Sequence, residues 1–288
     1  MPEGDTIFRA ARTLHRALAG KVVTRFDAVF PALTRIADDH PIVGRRIESV
    51  TSRGKHLLIA FSGDLTLHTH MRMNGSWHIY RAGEKWQRSL RDMRIVVGTE
   101  DFVAVGFNVP IAALLTGREL ARHEQLRSLG PDLLAPGSAA PDIAPSPAPP
   151  NTAAPVEIMR RMRLHDRYAI ADVLLNQRVI AGIGNVLKSE ILFVSAIHPF
   201  RAVASLSDDE LVRAIETARD LLQTNVMSRA QTLSPSIGRR TTRSLDPNAK
   251  LWVYSRGGKP CRLCGARIES RKTGLDARLT YWCPRCQT

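Results

Sequence analysis

The 288 residues predict an α+β protein: a helix and an antiparallel β-sandwich first, then a helical domain closed by a small hairpin module. Three observations predict it. Apolar residues near the start repeat at helical spacing and then switch to a period of two, the mark of one helix followed by half-buried strands. Beyond a proline-rich stretch the helical spacing returns. Four cysteines then fall into two pairs, Cys261-x2-Cys264 and Cys283-x2-Cys286, with 18 residues between the pairs.

In chain order, Ile7, Ala11, Leu14 and Leu18 trace one helical stripe, and Gly20 stands where a left-handed cap ends it. Segments Val22 to Val29, Arg46 to Ser52, His56 to Phe61, Leu65 to His70, Trp77 to Tyr80, Arg94 to Val97 and Phe102 to Val105 read as strands. Glycine-containing turns such as Ser62-Gly63-Asp64 join them. From Ala135 to Pro155 the chain carries seven prolines in 21 residues, which no helix or ladder accommodates. The expected division is therefore a first domain over 1–134, a linker over 135–155, a helical domain over 156–250 and a cysteine module over 251–288.

In the helical part, Ile170, Val173, Leu174 and Gln177 form one stripe and Leu187, Ile191 and Val194 another. Between them, Ala181-Gly182-Ile183-Gly184-Asn185 breaks the helix, with Asn185 the expected cap of the next one. Such a turn seats a phosphate or is a plain helical connection. Ser207-Asp208-Asp209-Glu210 is a capping box, and Leu206 can staple onto Leu211.

The cysteine spacing is that of a tetrahedral zinc site; disulfides are the other reading of two such pairs. The chain has no other cysteine and no apolar signal segment, which favours thiolates on a metal. With all four ligands from protein, such a zinc is structural. The net charge is +14, and the last 63 residues hold 13 Lys and Arg against 3 Asp and Glu. A cation concentration around a metal module points to a polyanionic partner, and no stretch of the sequence reads as a membrane span.

The start, Met1-Pro2-Glu3, is one from which methionine is normally trimmed, leaving a prolyl secondary amine. An α-amino group with a reference pKa of about 7.7–8.0 is roughly a fifth to a third neutral at pH 7.4, against about 0.1% for a lysine. It is an accessible nucleophile, with Glu3 beside it to move a proton.

Pro2-Glu3-Gly4, the Gly54-Lys55 hairpin, Ala181-Gly182-Ile183-Gly184-Asn185 and Tyr281-Trp282-Cys283-Pro284-Arg285-Cys286-Gln287, in this order, resemble the formamidopyrimidine-DNA glycosylase and endonuclease VIII family. The likeness covers almost the whole chain outside the proline-rich stretch. It implies a two-domain base-excision repair enzyme with a helix-two-turn-helix and a β-hairpin zinc finger.

The resemblance also implies roles. Pro2 attacks C1′ of the damaged nucleotide, Glu3 protonates the sugar ring oxygen, and Lys55 contacts a phosphate beside the lesion. Asn185 with nearby backbone amides, Arg278 and His70 hold flanking phosphates, although a packed strand histidine is the other reading of His70. Met73, with Arg72 and Asn74 beside it, fills the gap left by a flipped base, or else is a core methionine. Relatives often read Pro-Glu-x-Pro-Glu; here Asp5-Thr6 stands instead, which bears on lesion recognition. Gly4 and Trp282-Cys283-Pro284 lean toward endonuclease VIII and oxidised pyrimidines.

The expectation is a bifunctional glycosylase and abasic-site lyase with one structural zinc as sole cofactor. Its partner is DNA, duplex or single-stranded and bubble, and the chain is expected to act as a cytoplasmic, nucleoid-associated monomer. The rival expectations are a non-catalytic sensor of damaged DNA and a lyase restricted to abasic sites.

Overall fold

The computed structural model describes residues 2–135, 153–227, 239–242, 244, 246, 248–274 and 277–288. It divides into two compact units, Met1–Ser128 and Leu129–Thr288. Most of the proline-rich stretch lies outside the described residues. Leu129 to Ala135 belong to the second unit: the N–H of Gly130 bonds the carbonyl of Gln177, and Asp132 bridges to Ala181.

The first unit opens with α1 (Gly4–Leu18), whose buried stripe is Ile7, Ala11, Leu14 and Leu18. After it come β1 (Arg25–Ala28), α2 (Pro31–Asp39), β2 (Ile47–Arg53), β3 (His56–Phe61) and β4 (Leu65–His70). The unit continues with β5 (Ser76–Arg81), β6 (Met93–Gly98), β7 (Phe102–Phe107) and β8 (Ile111–Thr116), and ends in α3 (Gly117–Arg122) and α4 (Glu124–Arg127). Two antiparallel sheets result, ordered β1-β6-β7-β5 and β2-β3-β4-β8. Alternation puts Leu57, Ile59, Phe61, Leu67, Ile95 and Val97 into the shared core with α1. This is the expected helix-plus-sandwich.

In the second unit α5 (Ala153–Arg163), α6 (Ile170–Leu175), α7 (Asn185–Val194) and α8 (Asp208–Met227) enclose Ile158, Met162, Leu174, Leu187, Ile191, Leu211, Ile215 and Leu222. The capping box forms: the Ser207 N–H donates to the Glu210 carboxylate at 2.8 Å and the Glu210 N–H to Ser207 Oγ at 3.2 Å. Leu206 and Leu211 are both buried in the same core. β9 (Glu269–Thr273) and β10 (Arg278–Trp282) form the terminal hairpin. Among the described residues no helix is long and apolar enough to cross a membrane.

Two local readings are corrected. Gln177 is not on the helical stripe: α6 ends at Leu175, and the Gln177 amide donates to the Leu175 and Ile183 carbonyls at 2.8 and 2.9 Å while its oxygen accepts from Gly182 at 3.1 Å. One side chain thus knits together the two turns between α6 and α7. Asn185 is not the cap of α7 either; Gly184, in extended conformation, is, and Asn185 is the first helical residue.

The buried carboxylate of Glu190 on α7 binds the N–H groups of Trp252, Val253 and Tyr254 at 2.8–2.9 Å and the hydroxyl of Thr241. It is the anchor of the segment that leads into the hairpin module. Glu190→Ala leaves the buried Val253 N–H and the half-buried Trp252 and Tyr254 N–H groups without their acceptor, at about 1–3 kcal/mol for the buried one and less for the others. The unfolding midpoint is expected to fall sharply, and the fluorescence of Trp252, stacked on Phe193 at 5.3 Å, to shift red. Wild-type stability in that variant rules the anchor out.

Candidate functional site

The placement of Pro2 and Glu3 follows from how α1 lies on β2. At the helix C-terminus the Gly20 N–H bonds the Ile47 carbonyl at 2.8 Å; further back, the Val50 N–H donates to His15 Nδ1 at 3.1 Å. Helix and strand therefore run antiparallel. From residue 15 to residue 3 a helix climbs about 18 Å, and from 50 to 54 a strand advances about 13 Å. The start of α1 accordingly lies toward the Gly54-Lys55 end of the sheet.

Glu3 precedes α1 with its carbonyl accepting from Thr6 and Ile7 at 2.9 and 3.0 Å. Both Glu3 and Asp5 are 0% exposed, while Pro2 is partly exposed. Asp5 Oδ1 takes the Thr6 N–H at 2.7 Å and its hydroxyl at 3.3 Å. The acid that departs from the family pattern is thus built into the first turn.

Gly54-Lys55 is a two-residue hairpin loop between Arg53 and His56, with Gly54 at φ +58°. A glycine at the first central position with a positive φ is what a type II′ turn requires. Because His56 pairs with His70 across β3 and β4, the turn at 71–75 emerges at the same end of the sheet. Here the two methionines part: Met71 is core at 2% exposure and Met73 is 59% exposed. Arg72, at φ +45°, and Asn74 are exposed beside it. The Gly75 N–H closes the turn on the Met71 carbonyl at 2.9 Å, so tightly that a Cβ on Gly75 would meet that oxygen at 2.6 Å.

Under this turn lie four imidazoles. His56 Nδ1 and His68 Nε2 share a hydrogen bond of 2.7 Å, and the His70 and His123 rings contact His56 and His68 at 4.8 Å. Burial, then the charges of Lys55 and Arg72, push His70 down to about 4. Burial and the neighbouring rings push His56 to about 3 and His68 to about 4. All three are neutral at physiological pH. The Arg72 N–H donates to His70 Nδ1 at 3.0 Å, so the His70 ring proton belongs on Nε2. His70 is therefore both a packed strand histidine and a neutral donor, not a cationic one.

In the second unit Asn185 is joined to Leu279, the residue after Arg278. Asn185 Nδ2 donates to the Leu279 carbonyl at 3.0 Å, and its Oδ1 accepts from Lys188 Nζ at 2.8 Å. At 8% exposure the Asn185 side chain is committed to the hairpin. Arg278 shares its strand face with Thr280 and Trp282, the face turned toward α7 and the Phe200 loop.

The four Sγ atoms lie within 4.8 Å of one another, with Cys261 to Cys286 at 3.9 Å and Cys264 to Cys283 at 3.5 Å. Tetrahedral thiolates at about 2.3 Å from zinc are about 3.8 Å apart. A disulfide would require about 2.05 Å. Burial and the neighbouring thiols push the Cys283 and Cys286 thiols up, while the Ala266 N–H draws Cys264 down to about 7. Sulfurs this crowded are stable as thiolates only around a cation. Gln287 closes the knuckle, accepting from the Cys283 N–H and donating to the Ile197 carbonyl, both at 2.9 Å.

Three family models match: the formamidopyrimidine-DNA glycosylase N-terminal domain over residues 1–110, the formamidopyrimidine-DNA glycosylase H2TH domain over 143–236, and the zinc finger found in FPG and IleRS over 258–288. A probable endonuclease 8 2 of Streptomyces coelicolor is 38% identical over 290 residues, covering 100% of this chain and 94% of its own. The chain belongs to the formamidopyrimidine-DNA glycosylase family. A DNA-(apurinic or apyrimidinic site) lyase Nei2 of Mycolicibacterium smegmatis is also 38% identical, over 289 residues, covering 100% of this chain and 99% of its own. In fold, the Lactococcus lactis Fpg solved with DNA containing an oxidized pyrimidine aligns over 100% of both chains with a TM-score of 0.78 at 21% identity.

As in the zinc finger of this family, the four cysteines fit one structural zinc ion. Sequence reasoning missed His56 and His68, brought together by the pairing of β3 with β4, and His123, which joins them from the junction of α3 and α4. It also missed Lys188 and Glu190, whose burial no local pattern signals.

Two outcomes are expected. Elemental analysis should find one zinc per chain, and a chelator strong enough to remove it should unravel the 258–288 module, read as a shift in Trp282 fluorescence. Full metal content with an unchanged spectrum after chelation contradicts the closed site. In the unfolded chain the histidines titrate near about 6.5, so between that pH and about 4 the unfolded state binds more protons and stability rises with pH. The contribution is complete above about 6.5 and lost as pH falls toward about 4. Calorimetry from pH 7 to 4 should show a falling midpoint, with a shallower fall in His68→Phe; equal slopes in the two proteins exclude the cluster as the cause.

Proposed function

We propose that the chain is a bifunctional DNA glycosylase and abasic-site lyase of base-excision repair, acting on oxidised pyrimidines in DNA. One observation carries it: in a member of this family, the start of α1 with Pro2 and the sealed Glu3 lies toward the end of the sheet that presents Lys55 and the exposed Met73. The L. lactis neighbour in complex with oxidized-pyrimidine DNA supports the ligand class.

The chemistry then runs in balanced steps. The neutral Pro2 nitrogen, freed by removal of Met1, attacks C1′; the C1′–N bond breaks, its electron pair leaves with the base, and the proton shed by the Pro2 nitrogen passes to that base. Glu3 gives a proton to the sugar ring oxygen as the ring opens, leaving an iminium between Pro2 and C1′. Loss of a proton from C2′ expels the 3′ phosphate, a second elimination expels the 5′ phosphate, and water returns the amine. Lys55 neutralises a phosphate next to the lesion, and the neutral Nε2–H of His70 donates to another. Met73, flanked by Arg72 and Asn74, occupies the space of the flipped nucleotide.

In the second unit Arg278 meets a flanking phosphate, and Asn185 contributes by seating the hairpin that carries it. The domains are read as 1–134 for catalysis, 156–250 for the helix-two-turn-helix and 251–288 for the zinc finger, with 135–155 as linker. The chain is read as a cytoplasmic, nucleoid-associated monomer on duplex DNA, with single-stranded or bubble DNA as a further substrate form. A second reading, a lyase restricted to abasic sites, is favoured by the name of the M. smegmatis relative and by the buried Asp5 in place of the family's usual pattern.

Borohydride trapping decides between them. Met1-trimmed protein should form a covalent adduct with DNA carrying an oxidised pyrimidine, and Pro2→Gly should abolish it. Glu3→Gln should slow base release by about 10²–10⁴-fold. Capture at an abasic site alone establishes the restricted lyase; binding without any capture refutes the enzyme and leaves a damage sensor.

A further inference from the structure

Lys188 is a cation where cations are almost never found. It lies on α7, is 0% exposed, and one helical turn separates it from Asn185. Fully buried lysines are rare because the ammonium loses its water, so the partners that replace that water define what the residue does. Its Nζ donates to Asn185 Oδ1 and to Thr280 Oγ1, both at 2.8 Å.

Both partners lead to β10, and one of them reaches on to β9. Asn185, with its oxygen turned to the ammonium, has its Nδ2 directed at the Leu279 carbonyl on β10. Thr280, also on β10, hydrogen-bonds Thr273 on β9 at 2.8 Å, hydroxyl to hydroxyl across the hairpin. The ammonium thus fixes which way the Asn185 amide points and ties α7 to both strands. Asp172 on α6 lies within the field of the Lys188 charge. Burial raises its carboxyl and the Lys188 charge acts against that, while the Gly274 backbone sits so close that a Cβ there would stand 2.8 Å from Asp172 Oδ1.

We infer that Lys188 is a positioning residue for DNA binding: it locks the β9–β10 hairpin onto α7 so that Arg278, adjacent to the gripped Leu279 carbonyl, is ordered before DNA arrives. A methionine would fill the same space but donate nothing, and the Asn185 amide would lose the partner that orients it. Ordering the hairpin in advance removes that cost from the binding step. The inference rests on the reading that Arg278 meets phosphate.

The test uses the full zinc-loaded chain and a duplex bearing a tetrahydrofuran abasic analogue, with affinity read by fluorescence anisotropy. Lys188→Met and Thr280→Val should each raise Kd about tenfold, corresponding to the loss of about one charge-assisted hydrogen bond. Both should keep one zinc per chain and trap abasic DNA at saturating concentration within about twofold of the wild-type rate, since the chemistry belongs to the first unit. The double variant should be no weaker than Lys188→Met alone, because the two residues act as one unit.

A Kd unchanged in both variants, or additive losses in the double variant, overturns the inference. Should Lys188→Met fail to fold, Thr280→Val, which only replaces a hydroxyl by a methyl, decides by the same Kd criterion. Arg278→Ala separates the two layers. Unchanged binding there removes the phosphate reading and this inference with it, whereas weakened binding there with unchanged Lys188→Met and Thr280→Val removes this inference alone.

Discussion

A nucleophile on the first residues of a chain is useful only if those residues are held, because chain ends fray unless something ties them down. α1 does the tying. Its stripe of Ile7, Ala11, Leu14 and Leu18 is buried in the sandwich core, and its far end is fixed to β2 through Gly20 and His15. Ahead of Ile7 the anchors are polar: the Glu3 carbonyl caps the first turn and Asp5 folds back on Thr6. The helix axis, set by apolar contacts along a helix of fifteen residues, aims the chain start; Asp5 fixes the first turn. Placing Pro2 is thus mostly a matter of burying leucines and isoleucines in the right register.

The second unit solves a different problem. A two-stranded hairpin is marginal by itself in water, and this one exposes every residue of β9 at least partly. Zinc supplies the missing cohesion at one end, where the apolar cluster amounts to little more than Phe193, Val253, Ile268 and two of the ligands. Metal ligation holds the knuckle together but leaves the hairpin free to pivot. Orientation comes from side chains of α7 and its neighbours: Glu190 behind the module, Gln287 at its end, and Asn185 with Lys188 at its tip. Arg271 over the Phe200 ring at 4.0 Å adds a contact on the same side.

Much of this was legible in the sequence, and the rest was hidden for physical reasons. Periodicity revealed α1 and seven strands, because half-buried elements alternate by necessity. β8, Ile-Ala-Ala-Leu-Leu-Thr, has no alternation and so gave no signal, although the Thr116 and Glu119 capping box after it marks the start of α3. The cysteines announced the metal because ligand spacing is local. Pro2 and Glu3 stand out through the chemistry of a trimmed prolyl amine, but Lys55 and Arg278 were reached only by resemblance, since two cations have no pattern of their own. Asn185 was read as a cap from its neighbours, whereas its amide is spent on Leu279, a partner 94 residues away. What the sequence concealed was the long-range polar pairing, since nothing local distinguishes a buried Lys188 from a surface lysine.

The electrostatics of the two units differ in a way that follows from where charge must be felt. In the first, a buried layer of imidazoles stays neutral, because burial and the cations Lys55, Arg72 and Arg53 all act against protonation. Neutral rings beneath the exposed turn support it without adding repulsion to the cations already there. In the second, a buried charge is retained, and it is tolerated because two oxygens at 2.8 Å and the field of Asp172 replace its water. Under the proposed function the turn carrying Met73 receives a nucleotide, which a neutral layer suits, while the hairpin carrying Arg278 holds a phosphate, which a fixed cation suits. The same cost of burying charge therefore yields opposite solutions, and which one appears reports whether the surface above it is built to yield or to hold.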